Sequence, residues 1–257
     1  MARQDAARRS RDRPLWRIGS GPNVREFEIR ARSPSAVSLT LKSSRAILAA
    51  ASLGVATQAT AELQLSFYGG YQTSPHSNVS VYGDSVVPDL EFTAGWEGRS
   101  FTMPPYYGYR ATWWYSENFG FGVDVNHTKV YADDATLAET GYEHFEFSDG
   151  LNIVTLNAYR SWNNAFAGVS PYVGGGFGVA IPHVELTEGT SRTFEYQLTG
   201  PAVAWIAGAS MPLNDQWSVF GEYKGTYSIN SADLVTGGSL ETNVITNALN
   251  VGISFNF

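Results

Sequence analysis

From Glu62 onward, hydrophobic and polar residues alternate with a period of two, the pattern of a strand with two unlike faces. Leu249, Val251, Ile253, Phe255 and Phe257 share one face, and Asn250, Gly252, Ser254 and Asn256 share the other. Near Trp217–Ile229, Trp217, Val219, Tyr223, Tyr227 and Ile229 oppose Ser218, Glu222, Lys224, Thr226 and Ser228. At the start, Leu63, Leu65, Phe67 and Tyr71 oppose Gln64, Ser66 and Tyr68. The pattern predicts eight strands near Leu63–Gln72, Tyr106–Tyr115, Phe119–Val130, Phe145–Trp162, Val169–Glu185, Phe194–Met211, Trp217–Ile229 and Glu241–Phe257. Short connections (Ser116–Asn118, Asn163–Gly168, Pro212–Gln216) alternate with longer polar ones (Thr73–Pro105, Tyr131–His144, Leu186–Thr193, Asn230–Leu240).

Several strands reach ten residues or more, enough to cross a bilayer when tilted. Trp113, Trp114, Tyr115, Tyr159, Trp162 and Trp217 fall at strand ends, where interfacial aromatic girdles lie. The expected fold is therefore all-β: an eight-stranded antiparallel transmembrane β-barrel of the outer-membrane type, spanning residues 62–257. A secreted soluble β-domain is the competing reading of the same alternation. An even strand number with both ends in the periplasm turns the short connections inward and the long loops outward. Within the first long loop, Phe92–Trp96 and Phe101 are expected to extend the barrel as a hairpin. The C-terminal Phe257, with apolar residues at every second position before it, resembles the signal read by the outer-membrane barrel insertion machinery.

The front of the chain differs in chemistry. Eleven of the seventeen Lys and Arg residues, but only four of the twenty-four Asp and Glu, lie in the first 61 residues. Lys42–Arg45 reads as a positive n-region, Ala46–Ala56 as an apolar h-region, and Ala59-Thr60-Ala61 as a small-residue cleavage signature. Residues 42–61 are thus expected to be a signal peptide cleaved near Ala61. The basic residues 1–41 are expected to be an extraneous or disordered segment, read as a misassigned start or a solvated tail rather than a nucleic-acid arm. The remaining 196 residues carry six basic and twenty acidic side chains, which argues against nucleic acid as a partner. No cysteine is present, so neither disulfides nor thiol chemistry enter.

Candidate chemistry lies in the barrel wall. Arg110, Asp124, Glu195, Glu222 and Lys224 alternate inward and are expected to pair as structural interior charges. His144-Phe145-Glu146 and His183-Val184-Glu185 each place an imidazole and a carboxylate on one strand face. A hairpin turning about Asn164 and Ala165 pairs His144 with Glu185 and Glu146 with His183. That pairing needs a bulge at Pro182, because strict alternation carries His183 outward with Val179 and Ile181. On this reading His144, His183 and His76 are candidate ligands of a divalent transition metal, Glu146 and Glu185 are candidate proton acceptors, and Phe145, Phe147, Val184 and Leu186 face lipid. No flavin, haem, phosphate-loop or G-x-S-x-G motif is present.

Several stretches carry a family resemblance: Leu65–Ser77 (LSFYGGYQTSPHS), Trp96–Phe101 (WEGRSF), Val130–Asp134 (VYADD), Phe194–Pro201 (FEYQLTGP) and Trp217–Tyr227 (WSVFGEYKGTY). They resemble the alphaproteobacterial, rhizobial-type outer-membrane lipid A oxidases, and the likeness covers essentially Glu62–Phe257. The resemblance implies location in the Gram-negative outer membrane and lipid A of the lipopolysaccharide as partner. It implies O2-dependent oxidation of the proximal glucosamine of 1-dephosphorylated lipid A to 2-aminogluconate, with release of hydrogen peroxide. A divalent metal dependence is plausible for such chemistry, and a monomer is expected. The alternatives are a non-enzymatic small outer-membrane barrel, structural or adhesin-like, and a lipid A deacylase.

Overall fold

The computed structural model describes residues 62–257, so the expectations for the signal peptide and the basic segment lie outside the described residues. In chain order the elements are β1 (Glu62–Thr73), β2 (Ser77–Tyr82), β3 (Leu90–Ala94), β4 (Trp96–Glu97), β5 (Tyr107–Ser116), β6 (Phe119–Ala132), α1 (Asp134–Thr140), β7 (His144–Ser161), β8 (Ser170–Glu188), β9 (Ser191–Tyr196), β10 (Gly200–Pro212), β11 (Trp217–Asp233) and β12 (Ser239–Asn256). Eight of these strands pair antiparallel in the order β1-β5-β6-β7-β8-β10-β11-β12. The ring closes where β12 returns to β1, in register from Gln64 opposite Asn256 to Thr73 opposite Asn247. Closure satisfies every wall strand on both sides, the condition for crossing hydrocarbon with strands.

The alternation sorts as expected. Leu65, Phe67, Phe121, Val125, Leu156, Phe177, Leu249 and Val251 are exposed on the outer wall. Ser66, Thr112, Asn157, Ser218, Thr226 and Ser254 are buried inside. The sequence-predicted strand Phe194–Met211 is two elements. β9 folds back on the upper part of β8, and β10 begins afresh at Gly200. The intervening backbone is held by Gln197 N–H donating to the Pro182 carbonyl and Thr199 N–H to the Ala180 carbonyl.

Two interiors are stacked in this barrel. The membrane-level interior is polar and charge-neutral. Arg110 donates to Asp124 (2.9 Å) and forks onto both oxygens of Glu222 (2.8 and 3.0 Å). Lys224 bonds Asp124, Tyr68 donates to Asp124 (2.9 Å), and Tyr172 donates to Glu222 (2.6 Å). Two cations and two carboxylates, all nearly without solvent, neutralise one another, as buried charges must. Below this network a polar vestibule of about 700 Å³ opens at the short-turn end, lined by Ser66, Ser161, Ser218 and Ser254 among others.

Above the network the interior is dry. The β2–β3 hairpin pairs with the top of β12, and β4 pairs with β6. They deliver Val79, Val81, Phe92 and Trp96 onto Phe145, Phe147, Leu151, Val184, Leu186 and Leu240. The ring of Trp96 stacks on Phe147 and meets Phe145 at 5.1 Å. Phe145, Phe147, Val184 and Leu186 therefore do not face lipid as their sequence reading had them; they fill the extracellular half of the barrel. The hairpin expected in the first long loop is present, but Phe101 lies outside it. α1 sits beside this core, capped by Asp133, whose carboxylate accepts from the Thr136 N–H and hydroxyl. Those bonds hold the Asp133 carboxyl below its ordinary range.

Candidate functional site

Of the five expected interior charges, Arg110, Asp124, Glu222 and Lys224 meet in the network described above. Glu195 does not: on β9 it is exposed and bonds Gln197. It keeps the inward phase, opposite Val184, but it stands on the fold-back strand β9 away from the charge network and stays exposed.

The His and Glu pairs sit on the outer wall. On β8, Val184 and Leu186 point inward with Ala180, so His183 and Glu185 keep the outward phase of Ile181. Pro182 introduces no irregularity there. The register shift falls instead on the partner strand β7, between Glu146 and Leu151. As a result Glu146 stands opposite Glu185, and His144 opposite Thr187. The expected pairs His144 with Glu185 and Glu146 with His183 do not form. His144 is exposed, and His76 is exposed in the turn after β1, beside the charge of Asp133. Among the described residues no three His, Asp or Glu side chains converge as metal ligands. The donor set proposed from the sequence thus does not fit an ion in this arrangement.

The β7 irregularity builds a different constellation. Gly150 there has φ +102°, and a side chain would collide with the His127 ring, its Cβ 2.3 Å from Nδ1. The missing side chain lets His127, outward on β6, reach across β7. Its Nδ1 bonds the Asn152 amide oxygen at 2.9 Å, and its ring stacks on Tyr107 at 4.8 Å. On the other side of the irregularity, His183 Nδ1 lies 4.0 Å from the Asp149 carboxylate. The His183 ring is enclosed by Phe194 and Tyr196, and the Tyr196 hydroxyl donates to the Asp149 carbonyl (3.1 Å). Both imidazoles are buried, 5 % and 3 % exposed, and each keeps one nitrogen without a hydrogen-bond partner: Nε2 of His127 and Nδ1 of His183.

Above this pair, Lys129 and Tyr131 follow on β6. Tyr131 is within electrostatic reach of Glu146, Arg99, Asp149 and Glu185, and Arg192 bridges Glu185 at 3.1 Å. His127 stands about 20 Å above Phe119 at the periplasmic end of β6, and His183 about 25 Å above Val173, at 3.3 Å per residue and a barrel tilt near 40°. That is the upper edge of an apolar band about 25 Å tall. Around β10, β11, β12 and β1 the outward residues near this height are mostly apolar, among them Val203, Ile229, Ile245 and Tyr71, with polar Asn247 and Thr73 between them. His127, Lys129, Asp149, Asn152, Tyr107 and Tyr196 were not singled out from the sequence. The available signal was the outward row Phe121, Val123, Val125 of β6 turning abruptly to His127 and Lys129.

The outer membrane protein beta-barrel domain model matches residues 46–257. This chain belongs to that family. Solved structures similar to it include Neisserial surface protein A, NspA (15% identity, 76% of this chain and 96% of that one, TM-score 0.43). The outer membrane protein AlkL is 16% identical over 77% of this chain and 90% of its own, with TM-score 0.46. OprG from Pseudomonas aeruginosa is 10% identical over 77% and 96%, with TM-score 0.47. Comparison with curated protein sequences returns no match. The protein is a small outer-membrane β-barrel.

Proposed function

We propose that this barrel is a lipid A oxidase that works from its outer wall. The observation that carries the reading is the patch of His127, Asp149, His183, Glu146 and Glu185 on the outer wall at the upper edge of the apolar band. Titratable groups at this position are costly unless they meet a polar partner, and the outer leaflet presents the glucosamines of lipid A there. The stretches resembling the rhizobial-type oxidases supply the reaction class.

In that reaction the C1 hemiacetal of the proximal glucosamine loses two electrons and two protons to O2, giving a lactone and hydrogen peroxide. Water then opens the lactone to 2-aminogluconate, a net gain of one oxygen. A free anomeric hydroxyl is required, so the substrate is 1-dephosphorylated. On this reading His183, with the Asp149 carboxylate 4.0 Å away, takes the hydroxyl proton, and Glu146 and Glu185 are the neighbouring acceptors.

The test is incubation of the refolded barrel with 1-dephosphorylated lipid A in air, read by mass spectrometry and by peroxide release. A gain of one oxygen, lost in His183→Ala, is expected. A parallel incubation with chelator reads whether a metal ion takes part. Loss of an acyl chain would convert the reading to a deacylase. An unchanged mass would leave the second reading, a non-enzymatic structural or adhesin-like barrel. That reading is favoured by the solid extracellular half, a rigid mount for surface loops.

A further inference from the structure

The inner row of β8 does not end on an apolar residue. Val184 and Leu186 point into the dry core, and Glu188, the last residue of the strand, continues their phase two positions further. At 3.3 Å per residue and a tilt near 40° it stands about 38 Å above Val173, well clear of the apolar band and of the outward-facing His183 and Glu185. Four connections meet over the core at this level. Glu188 pairs with Ser191 across the β8–β9 turn, and the Ser191 hydroxyl shares a 2.8 Å hydrogen bond with that of Thr236 in the β11–β12 turn. The Thr236 hydroxyl in turn lies 2.7 Å from both carboxylate oxygens of Asp84, in the loop between β2 and β3. Val86 and Val87 N–H also donate to Asp84, and Ser85 donates to the Thr236 carbonyl (2.8 Å). Tyr142, between α1 and β7, comes up from the core. Its ring is 3 % exposed and sits edge-on to Phe92 and Phe145, and the two charges that act on its hydroxyl are Glu188 and Asp84.

This cluster is not satisfied by its own members. Glu188 Oε2 and the Tyr142 hydroxyl are both shut off from solvent, and neither has a hydrogen-bond partner. Among the described residues neither Asp84 nor Glu188 belongs to an ion pair, and Arg192, next to Ser191, turns outward to Glu185. Burial and the charge of Asp84 push the Glu188 carboxyl above its ordinary range. Burial acts on Asp84 in the same sense, but the bonds from Val86 N–H, Thr236 and Val87 N–H outweigh it and hold that carboxyl below its range. Burial, then Glu188 and Asp84, push the Tyr142 hydroxyl up to about 12, so it stays a neutral donor. Two like charges drawn together without a cation favour an added one. Every donor atom here is oxygen, from carboxylates and hydroxyls, with no imidazole or thiol. Such a hard set, drawn from four irregular segments, suits Ca2+, which takes about six to eight oxygens in loose geometry, better than Mg2+ or a transition metal.

We infer that this cluster is a calcium site at the extracellular end of the barrel. Asp84 and Glu188 are its charged ligands, Thr236 and Ser191 supply neutral oxygens, and the Tyr142 hydroxyl bounds it from the core side. The ion clasps the β2–β3, α1–β7, β8–β9 and β11–β12 connections over the dry core. The site shares no residue with His76, His144 and His183, and it is independent of the lipid A reading.

Calorimetric titration of calcium chloride into the chelator-treated, refolded barrel in zwitterionic detergent tests it. One calcium per barrel is expected, with a Kd of about 0.1–1 mM, the range of extracellular sites. Asp84→Asn and Glu188→Gln are each expected to weaken binding about tenfold or more. Glu241→Gln alters an exposed acid of the same end, bonded to Tyr82, and is expected to leave binding unchanged. Added calcium is expected to protect the loops of the wild type, but not of Glu188→Gln, from proteinase K. Terbium in place of calcium is expected to luminesce on tyrosine excitation, with most of that signal lost in Tyr142→Phe. Heat-modifiable mobility on gels, in chelator, verifies that each variant is folded. No saturable binding up to about 10 mM calcium, or wild-type affinity in both Asp84→Asn and Glu188→Gln, would overturn the site. An equal loss in Glu241→Gln, or magnesium binding as tightly as calcium, would reduce it to screening of an acidic surface and overturn it too. A terbium signal of wild-type strength in Tyr142→Phe would overturn the placement of the ion.

Discussion

Neutralising Asp124 while leaving its partners in place is expected to be among the most damaging single changes in the barrel. Asp124 is without solvent and accepts from Arg110 Nε, Lys224 Nζ and the Tyr68 hydroxyl. In Asp124→Asn the enclosed charges become Arg110 and Lys224 against Glu222 alone, an unbalanced cation in a medium of low dielectric. Removing one partner of such a buried set costs about 3–5 kcal/mol. Lys224→Met alone leaves the opposite imbalance and is expected to cost a similar amount. The double variant Asp124→Asn with Lys224→Met is neutral again, because Arg110 keeps its two-point contact with Glu222. Its cost is expected to be about 1–2 kcal/mol, well short of the sum of the singles. The resulting coupling energy, about 4 kcal/mol at the least, is about a thousandfold in the folding equilibrium. Urea-driven equilibrium unfolding of all four proteins in lipid vesicles measures it. Additivity within about 0.5 kcal/mol, or single variants costing under 1 kcal/mol, would refute the claim that charge balance organises the membrane-level interior.

Three further outcomes follow from other parts of the fold. Trp96→Ala opens a cavity against Phe145 and Phe147 and is expected to cost about 3–5 kcal/mol in the same unfolding assay. Gly108→Ala sets a Cβ 2.2 Å from the ring of fully buried Tyr68 and is expected to destabilise the barrel by displacing the hydroxyl that serves Asp124, read by the same assay. Asp133→Ala removes the α1 cap at a cost of about 1 kcal/mol near neutral pH. Because the folded carboxyl lies below its unfolded value, the capping contribution is complete above the unfolded pKa and fades as pH falls through the folded one, so wild type and Asp133→Ala are expected to converge in acid.

The wall was legible because it obeys one rule. Lipid outside and a polar filling inside impose alternation on every strand, and eight such strands can be counted from residues alone. Arg110, Asp124, Glu222 and Lys224 were legible for the same reason: each is an even-numbered charge alternating with an outward row of odd-numbered, mostly apolar residues. The rule fails above the membrane. There the outside is wet and the inside is packed with Phe145, Phe147, Val184 and Leu186, so the apolar face is the inner one. Reading those residues by the membrane rule turned them outward and forced an invented break at Pro182 to bring His183 inward. The polarity of the surroundings inverts along β7 and β8; the side-chain phase of β8 does not.

The candidate site lies where that inversion occurs, which explains both its composition and its obscurity. Below it, outward positions must be apolar; above it, they are free to be charged. At the boundary, an outward His127 or His183 reads as an error under the lower rule and as ordinary surface under the upper one. Its burial is set by neighbours that no local pattern displays: the Gly150 gap that admits the His127 ring, and the β9 fold-back that lays Phe194 and Tyr196 over His183. Gly150→Ala therefore separates the two imidazoles. It is expected to expel the His127 ring from Asn152 while leaving His183 enclosed on the far side of β7. Histidine proton resonances in detergent-solubilised protein read this directly, with the His127 signals moving and those of His183 held. Equal displacement of both would mean that the irregularity in β7 does not organise the site.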